Sequence, residues 1–152
     1  MTTSMRVYTG TNAGTQSAPQ TGIALLSADS AGTDPDAAEV AAGTNSYEKW
    51  LRILIDDAEG ATYTNFWIER SGDLPDGVVI KLGVTDTPAT PTSTTSTVAT
   101  TTMADGRRYV FDANTYDESG QATRYVVLQE QVASSADSGA IEQQVFTVGY
   151  QS

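Results

Sequence analysis

Apolar residues along this chain come in short runs separated by Gly, Pro, Asp and Ser, a pattern of brief β-strands rather than of long helices. In Phe66 to Thr102, two strand-like runs flank the turn SGDLPDG, whose Gly and Pro supply the positive-φ and fixed-φ positions of a hairpin. Val78, Val79, Ile80, Leu82 and Val84 give a half-buried pleat. Further strands are expected at Ile23 to Leu26, in YTNFWIER, and at Val78 to Thr85, Arg108 to Asp112, Arg124 to Val132 and Val145 to Tyr150. Asp105-Gly106, Ser119-Gly120 and Asp137-Ser138-Gly139 mark the turns between them.

Ser46 to Asp57 fits two periods. Tyr47, Trp50, Leu51, Leu54 and Ile55 fall at helical spacing, and Asn45 with Glu48 resembles a capping box. As a strand, Tyr47, Lys49, Leu51, Ile53 and Ile55 share one face, and Glu48, Trp50, Arg52 and Leu54 the other. The strand is preferred because β-branched Ile53 and Ile55 precede an acidic turn that leads into another β-rich run.

The pattern sums to an all-β chain of about eight short strands, a β-sandwich or jelly roll with Greek-key connections. Residues 1–20 are rich in Thr and Gly and read as an extended N-terminal arm, with 21–152 as the single sandwich domain. The chain has 152 residues, enough for one self-sufficient core, but its hydrophobic content of 39% makes that core thin. The Thr87 to Met103 tract carries no charge. Its Thr and Pro favour extended backbone, which suits either an ordered meander along a sheet edge or a disordered spacer.

Charge narrows the partners. Nineteen acidic residues against 8 basic ones give −11, which phosphate backbones and anionic lipid headgroups repel. Neither nucleic acid nor membrane is an expected partner. There is no run of about 20 apolar residues and no leader pattern at the N-terminus, so the expectation is a protein soluble inside a cell.

The chain has no cysteine and no histidine, which removes disulfides, zinc–thiolate sites, Ser-His-Asp and Cys-His chemistry and His-ligated metals together. What remains for chemistry is carboxylates. Asp56, Asp57 and Glu59 read as a solvated turn, since adjacent strand residues point to opposite faces, and Asp34-Pro-Asp36 reads as another. DANTYDESG, from Asp112 to Gly120, resembles a fragment of a calcium loop, but Tyr116 and Asp117 stand where a fifth-position ligand and a sixth-position Gly are required. Trp50, Tyr63, Phe66 and Trp67 would make a sugar-stacking platform only if they clustered on one exposed face. Arg52, Arg107 and Arg108 are too few for a nucleic-acid patch. No enzyme, no cofactor and no metal are expected.

Taken in order, the blocks TGIALLSAD at 21–29, NSYEKWLRI at 45–53, FWIERSGDLPDGVVIKLGVT at 66–85, TPATPT with Ser96 and Ala99, and YVVLQEQVASSADSG at 125–139 resemble tailed-bacteriophage virion proteins, in particular capsid decoration (cement) proteins. The resemblance implies a small β-sandwich that trimerises and sits outside an icosahedral head, bound to the major capsid protein and assembled in the host cytoplasm. On that basis Met5, Arg6, Val7 and Tyr8 are assigned to capsid contact. Thr87, Pro88, Thr90, Pro91, Val98 and Met103 are assigned to contact between subunits or with neighbours. The rivals are a phage tail, fibre or surface glycan-binding module, and a tail-tube or connector subunit.

Overall fold

A computed structural model describes residues 2–136 and 144–152. Nine β-strands and one 3-10 turn make up the regular structure of these residues. In chain order they are β1 (Thr2–Thr9), the 3-10 turn Thr11–Ala13, β2 (Thr15–Gln16), β3 (Lys49–Asp57), β4 (Thr64–Ser71), β5 (Val78–Thr85), β6 (Thr101–Thr102), β7 (Arg108–Asp112), β8 (Tyr125–Val132) and β9 (Val145–Gln151). They form two antiparallel sheets, one of six strands in the order β2-β1-β3-β8-β5-β6 and one of three in the order β7-β4-β9. The two stack as a β-sandwich.

The core follows from the period-two alternation. Val7, Leu51, Ile53, Ile55, Ile80, Leu82, Val126 and Leu128 line the inner face of the large sheet, and Phe66, Ile68 and Phe111 meet them from the small one. Ile55, Phe66, Ile68 and Leu128 are fully excluded from water, and each such side chain contributes roughly 1.5–3 kcal/mol of burial free energy. The segment at Ser46 to Asp57 resolves as a strand with the expected division of faces: Leu51, Ile53 and Ile55 point inward with Lys49, and Trp50 joins a second cluster with Tyr8, Ala13, Ala99, Tyr125 and Val127.

Three expectations change. The first residues are not an arm, because β1 pairs with β3 from Thr2↔Asp57 to Tyr8↔Trp50, which places Val7 and Tyr8 inside the molecule. Ile23 to Leu26 is no strand. Ala24 and Leu26 are buried in a long connection whose Leu26 carbonyl accepts from Tyr47 N at 2.9 Å. The turn SGDLPDG is not a hairpin, since β4 belongs to the small sheet and β5 to the large one, so this segment crosses the core from layer to layer. Gly72 and Gly77 in it adopt φ of 124° and 83°, conformations open to glycine. The strands expected in YTNFWIER and at Val78 to Thr85, Arg108 to Asp112, Arg124 to Val132 and Val145 to Tyr150 are present as β4, β5, β7, β8 and β9, with ends shifted by at most a residue. The turn at Asp137-Ser138-Gly139 lies outside the described residues.

Candidate interaction surfaces

The Thr/Pro tract is an ordered strap laid across the outer face of the large sheet. Its backbone passes so close over β5 that a Cβ at Gly83 would collide with the Val98 carbonyl. Two buried polar side chains hold it, Glu48 just before β3 and Gln129 in β8, together with Ser96 of the strap itself. The Glu48 carboxylate accepts a hydrogen bond from Ser96 Oγ and another from Thr92 N at 3.2 Å. Gln129, wholly buried, accepts from Ser96 N at 2.9 Å and donates to the carbonyls of Thr94 (2.7 Å) and Ser46 (3.1 Å). Ser96 Oγ in turn accepts from Ala99 N at 2.8 Å. Residues 87–100 of the strap, which have no regular structure, thus satisfy backbone groups through the side chains beneath them, which is the condition for burying a loop. At its far end Thr90 Oγ1 accepts from Asn12 N, tying the strap to the 3-10 turn.

The residues assigned to neighbour contact therefore divide. Thr87, Pro88 and Thr90 are exposed on the strap, Val98 is half-buried, and Pro91 and Met103 face inward. Met103 lies in the main core at 1% exposure and has no surface to offer. The residues assigned to capsid contact divide too. Met5 and Arg6 are half-buried on β1, while Val7 and Tyr8 are packed inside and cannot anchor the chain to a neighbour. Arg6 is occupied locally, donating to Ser17 O at 3.0 Å and lying 3.7 Å from Asp56.

The aromatic residues do not assemble a platform. Trp50, Tyr63 and Phe66 are buried. Tyr63 meets Tyr150 edge-on with ring centres 5.3 Å apart, and Phe66 meets Tyr116 at 5.6 Å. Trp67 alone reaches the outer face of the small sheet, where its ring lies across Gly149 so closely that any side chain there would collide with it. The Arg108 guanidinium covers the ring at 3.9 Å from its centre and is itself held by Glu69 at 3.2 Å. A sugar would have to displace this stack.

Asp112 is an internal fastener. Its Oδ2 accepts from Tyr116 Oη at 2.6 Å and from Arg124 N at 2.8 Å, and its Oδ1 accepts from Asn114 N. Burial and the hydrogen bond to Asp112 push the Tyr116 hydroxyl up to about 12. Among the described residues no group of three or more acidic side chains is placed to hold a metal ion, and no helix is long and apolar enough to cross a membrane.

Two charged side chains lie inside the end of the sandwich beneath the long 17–48 connection. Lys49 donates to Ser30 O at 2.6 Å, and burial lowers its pKa to about 8. Burial raises Glu130 to about 7. Sequence reading placed Lys49 on the inner face but gave no signal for Glu130, which shares its face of β8 with the apolar Val126, Leu128 and Val132, nor for Gln129 as the latch. Among the described residues the exposed large apolar ones are Val110, Val145 and Tyr150, all on the small sheet, the first two 57% and 55% exposed. Comparison with family models, curated proteins and solved structures finds no significant match to this chain.

Proposed function

We propose that this chain is a non-enzymatic virion structural protein that binds the exterior of an icosahedral phage capsid as a trimer and stabilises it. The observation that carries the reading is the contrast between its two broad faces. The large sheet is covered by the chain's own strap, whereas the small sheet leaves Val110 exposed beside the Trp67–Arg108 stack and Val145 exposed farther along the same face. Exposed apolar residues next to a Trp–Arg pair make the composition of a protein-binding surface. The order of the sequence blocks supplies the class of assembly.

The charge fits this reading. Three copies carry about 3 × −11, or −33, which favours the outside of a shell over the DNA-filled inside. A clamp of three linked subunits works by avidity, since each grip can be weak when all three must release together. The test is to mix the purified protein with undecorated heads in expanded and unexpanded form and to measure occupancy. Saturable binding to the expanded form is expected, and absence of binding to both forms overturns the reading.

A further inference from the structure

The three-stranded sheet has two flanks of opposite charge. On the β7 flank stand Arg107 and Arg108, both exposed, with Val110 57% exposed two residues on. On the β9 flank stands Val145, 55% exposed, beside the start of the layer-crossing segment, where the exposed Asp73 adjoins Gln144; Asp76, also exposed, lies farther along that segment toward β5. The pairings Glu69↔Arg108 and Ser71↔Val145 put these groups at the same end of the sheet. Gln144 Nε2 donates to Asp73 O at 3.1 Å, which fastens the acidic segment to the β9 side. Of the acidic residues on the β7 side, Asp112 is buried and bonded to Tyr116 and Arg124 N, and Asp105 accepts from Gly72 N at 3.0 Å at the start of the layer crossing.

The edges differ as well. The large sheet ends in two strands of two residues each, β2 and β6, too short to template pairing. Among the described residues, β7 and β9 each pair only with β4, so the small sheet ends in strands of five and seven residues. Neither is blunted by proline, and β9 contains no charged residue.

We infer that β7 of one copy docks on β9 of a second copy, with Arg107 facing Asp73 and Asp76, and Val110 meeting Val145. The signs select this arrangement. A β7–β7 contact sets arginines against arginines and a β9–β9 contact sets aspartates against aspartates, whereas β7 against β9 matches charge with countercharge. Such a contact uses different patches on the two partners, so repetition builds a ring where the rotation closes and an open filament where it does not, instead of stopping at a two-fold dimer. The inference rests on the proposed trimer only for the size of the ring, and it moves the inter-subunit contact from the Thr/Pro strap to the sheet edges.

The test measures mass in solution by light scattering for the full chain and for charge variants at exposed positions. The wild type is expected as a closed oligomer of the 16.0 kDa chain. Arg107→Glu and Asp76→Arg are each expected to fall to monomer with unchanged circular dichroism, and the double variant R107E/D76R to regain the wild-type mass. A monomeric wild type overturns the inference, as does an oligomer whose mass neither single variant changes. A ring of three with no affinity for heads keeps this contact and removes the decoration role. A β7–β9 ring of another size keeps the contact and removes the trimer.

Discussion

Glu48 and Ser96, 48 residues apart in sequence, meet in a buried hydrogen bond that fixes the strap to the sheet beneath it. The bond joins the residue that precedes β3 to the part of the strap, residues 87–100, that has no strand or helix. Two further strap donors, Thr92 N and Ser96 N, point at Glu48 and Gln129. Removing either acceptor leaves buried donors unpaired, at about 1–3 kcal/mol each. Glu48→Ala and Gln129→Ala are therefore expected to lower the urea midpoint. They should also raise amide exchange selectively in residues 92–99, and exchange spread evenly over the molecule would contradict the latch.

Gly83 gives an independent check on the same strap. A methyl group there has no room beneath Val98, and overpacking of this kind costs about 1–3 kcal/mol. Gly83→Ala is expected to melt lower and to expose the strap to nonspecific protease. Gly60→Ala, with open space around its Cα but φ of 75°, is expected to cost only local strain.

Lys49 and Glu130 together predict a dip in stability near neutral pH. Glu130 binds its proton more tightly folded than unfolded, so its contribution is complete below about 4.5 and is lost as pH rises to about 7. Lys49 holds its proton less tightly folded, so the cost of burying its charge is present below about 8 and is relieved as pH rises toward 10.5. Glu130→Gln is expected to stabilise by about 3 kcal/mol at pH 8 and to be near neutral at pH 4. Denaturant titrations across this range, with each variant, check both limbs.

Arg70 is 4% exposed, and its guanidinium donates to Gly72 O, Gln144 Oε1 and Met103 O. These bonds join β4 to the layer crossing and to the start of the β6–β7 connection. Arg70→Met keeps the volume but strands the three acceptors, and a loss of about 3 kcal/mol is expected. A thermal midpoint unchanged from wild type would mean that water replaces the guanidinium.

Removing residues 2–9 tests the corrected role of the N-terminus. An appendage can be cut away without harm, but β1 covers the edge of β3 and contributes Val7 to the core and Tyr8 to the outer-face cluster. The truncated chain is expected to lose cooperative unfolding altogether.

Strands with strict alternation were legible from sequence. Ile80, Leu82 and Val84 declare β5, and Leu51, Ile53 and Ile55 settle β3 against the competing helical spacing. Sheet membership was not legible, because SGDLPDG has the residues of a hairpin, and only long-range packing decides that it crosses layers. The first strand was missed because Thr2, Thr3 and Ser4 look like solvated arm, yet they lie at a sheet margin where polar residues belong. The strap was half legible. Its extended character follows from Thr and Pro, but its fixation depends on Gln129 and Glu48, whose role appears only when strands distant in sequence come together. The surface residues fared least well, since burial at Val7, Tyr8, Pro91 and Met103 is a property of the assembled sandwich.

The position of β8 shapes how this molecule comes into being. Among the described residues it lies between β3 and β5 and is the strand that joins the two halves of the large sheet. A ribosome must therefore deliver the chain through Val132 before either half can zip onto the other. Until then the nascent polypeptide holds unmatched strands, with the slow closure and sticking hazard that distant pairings bring.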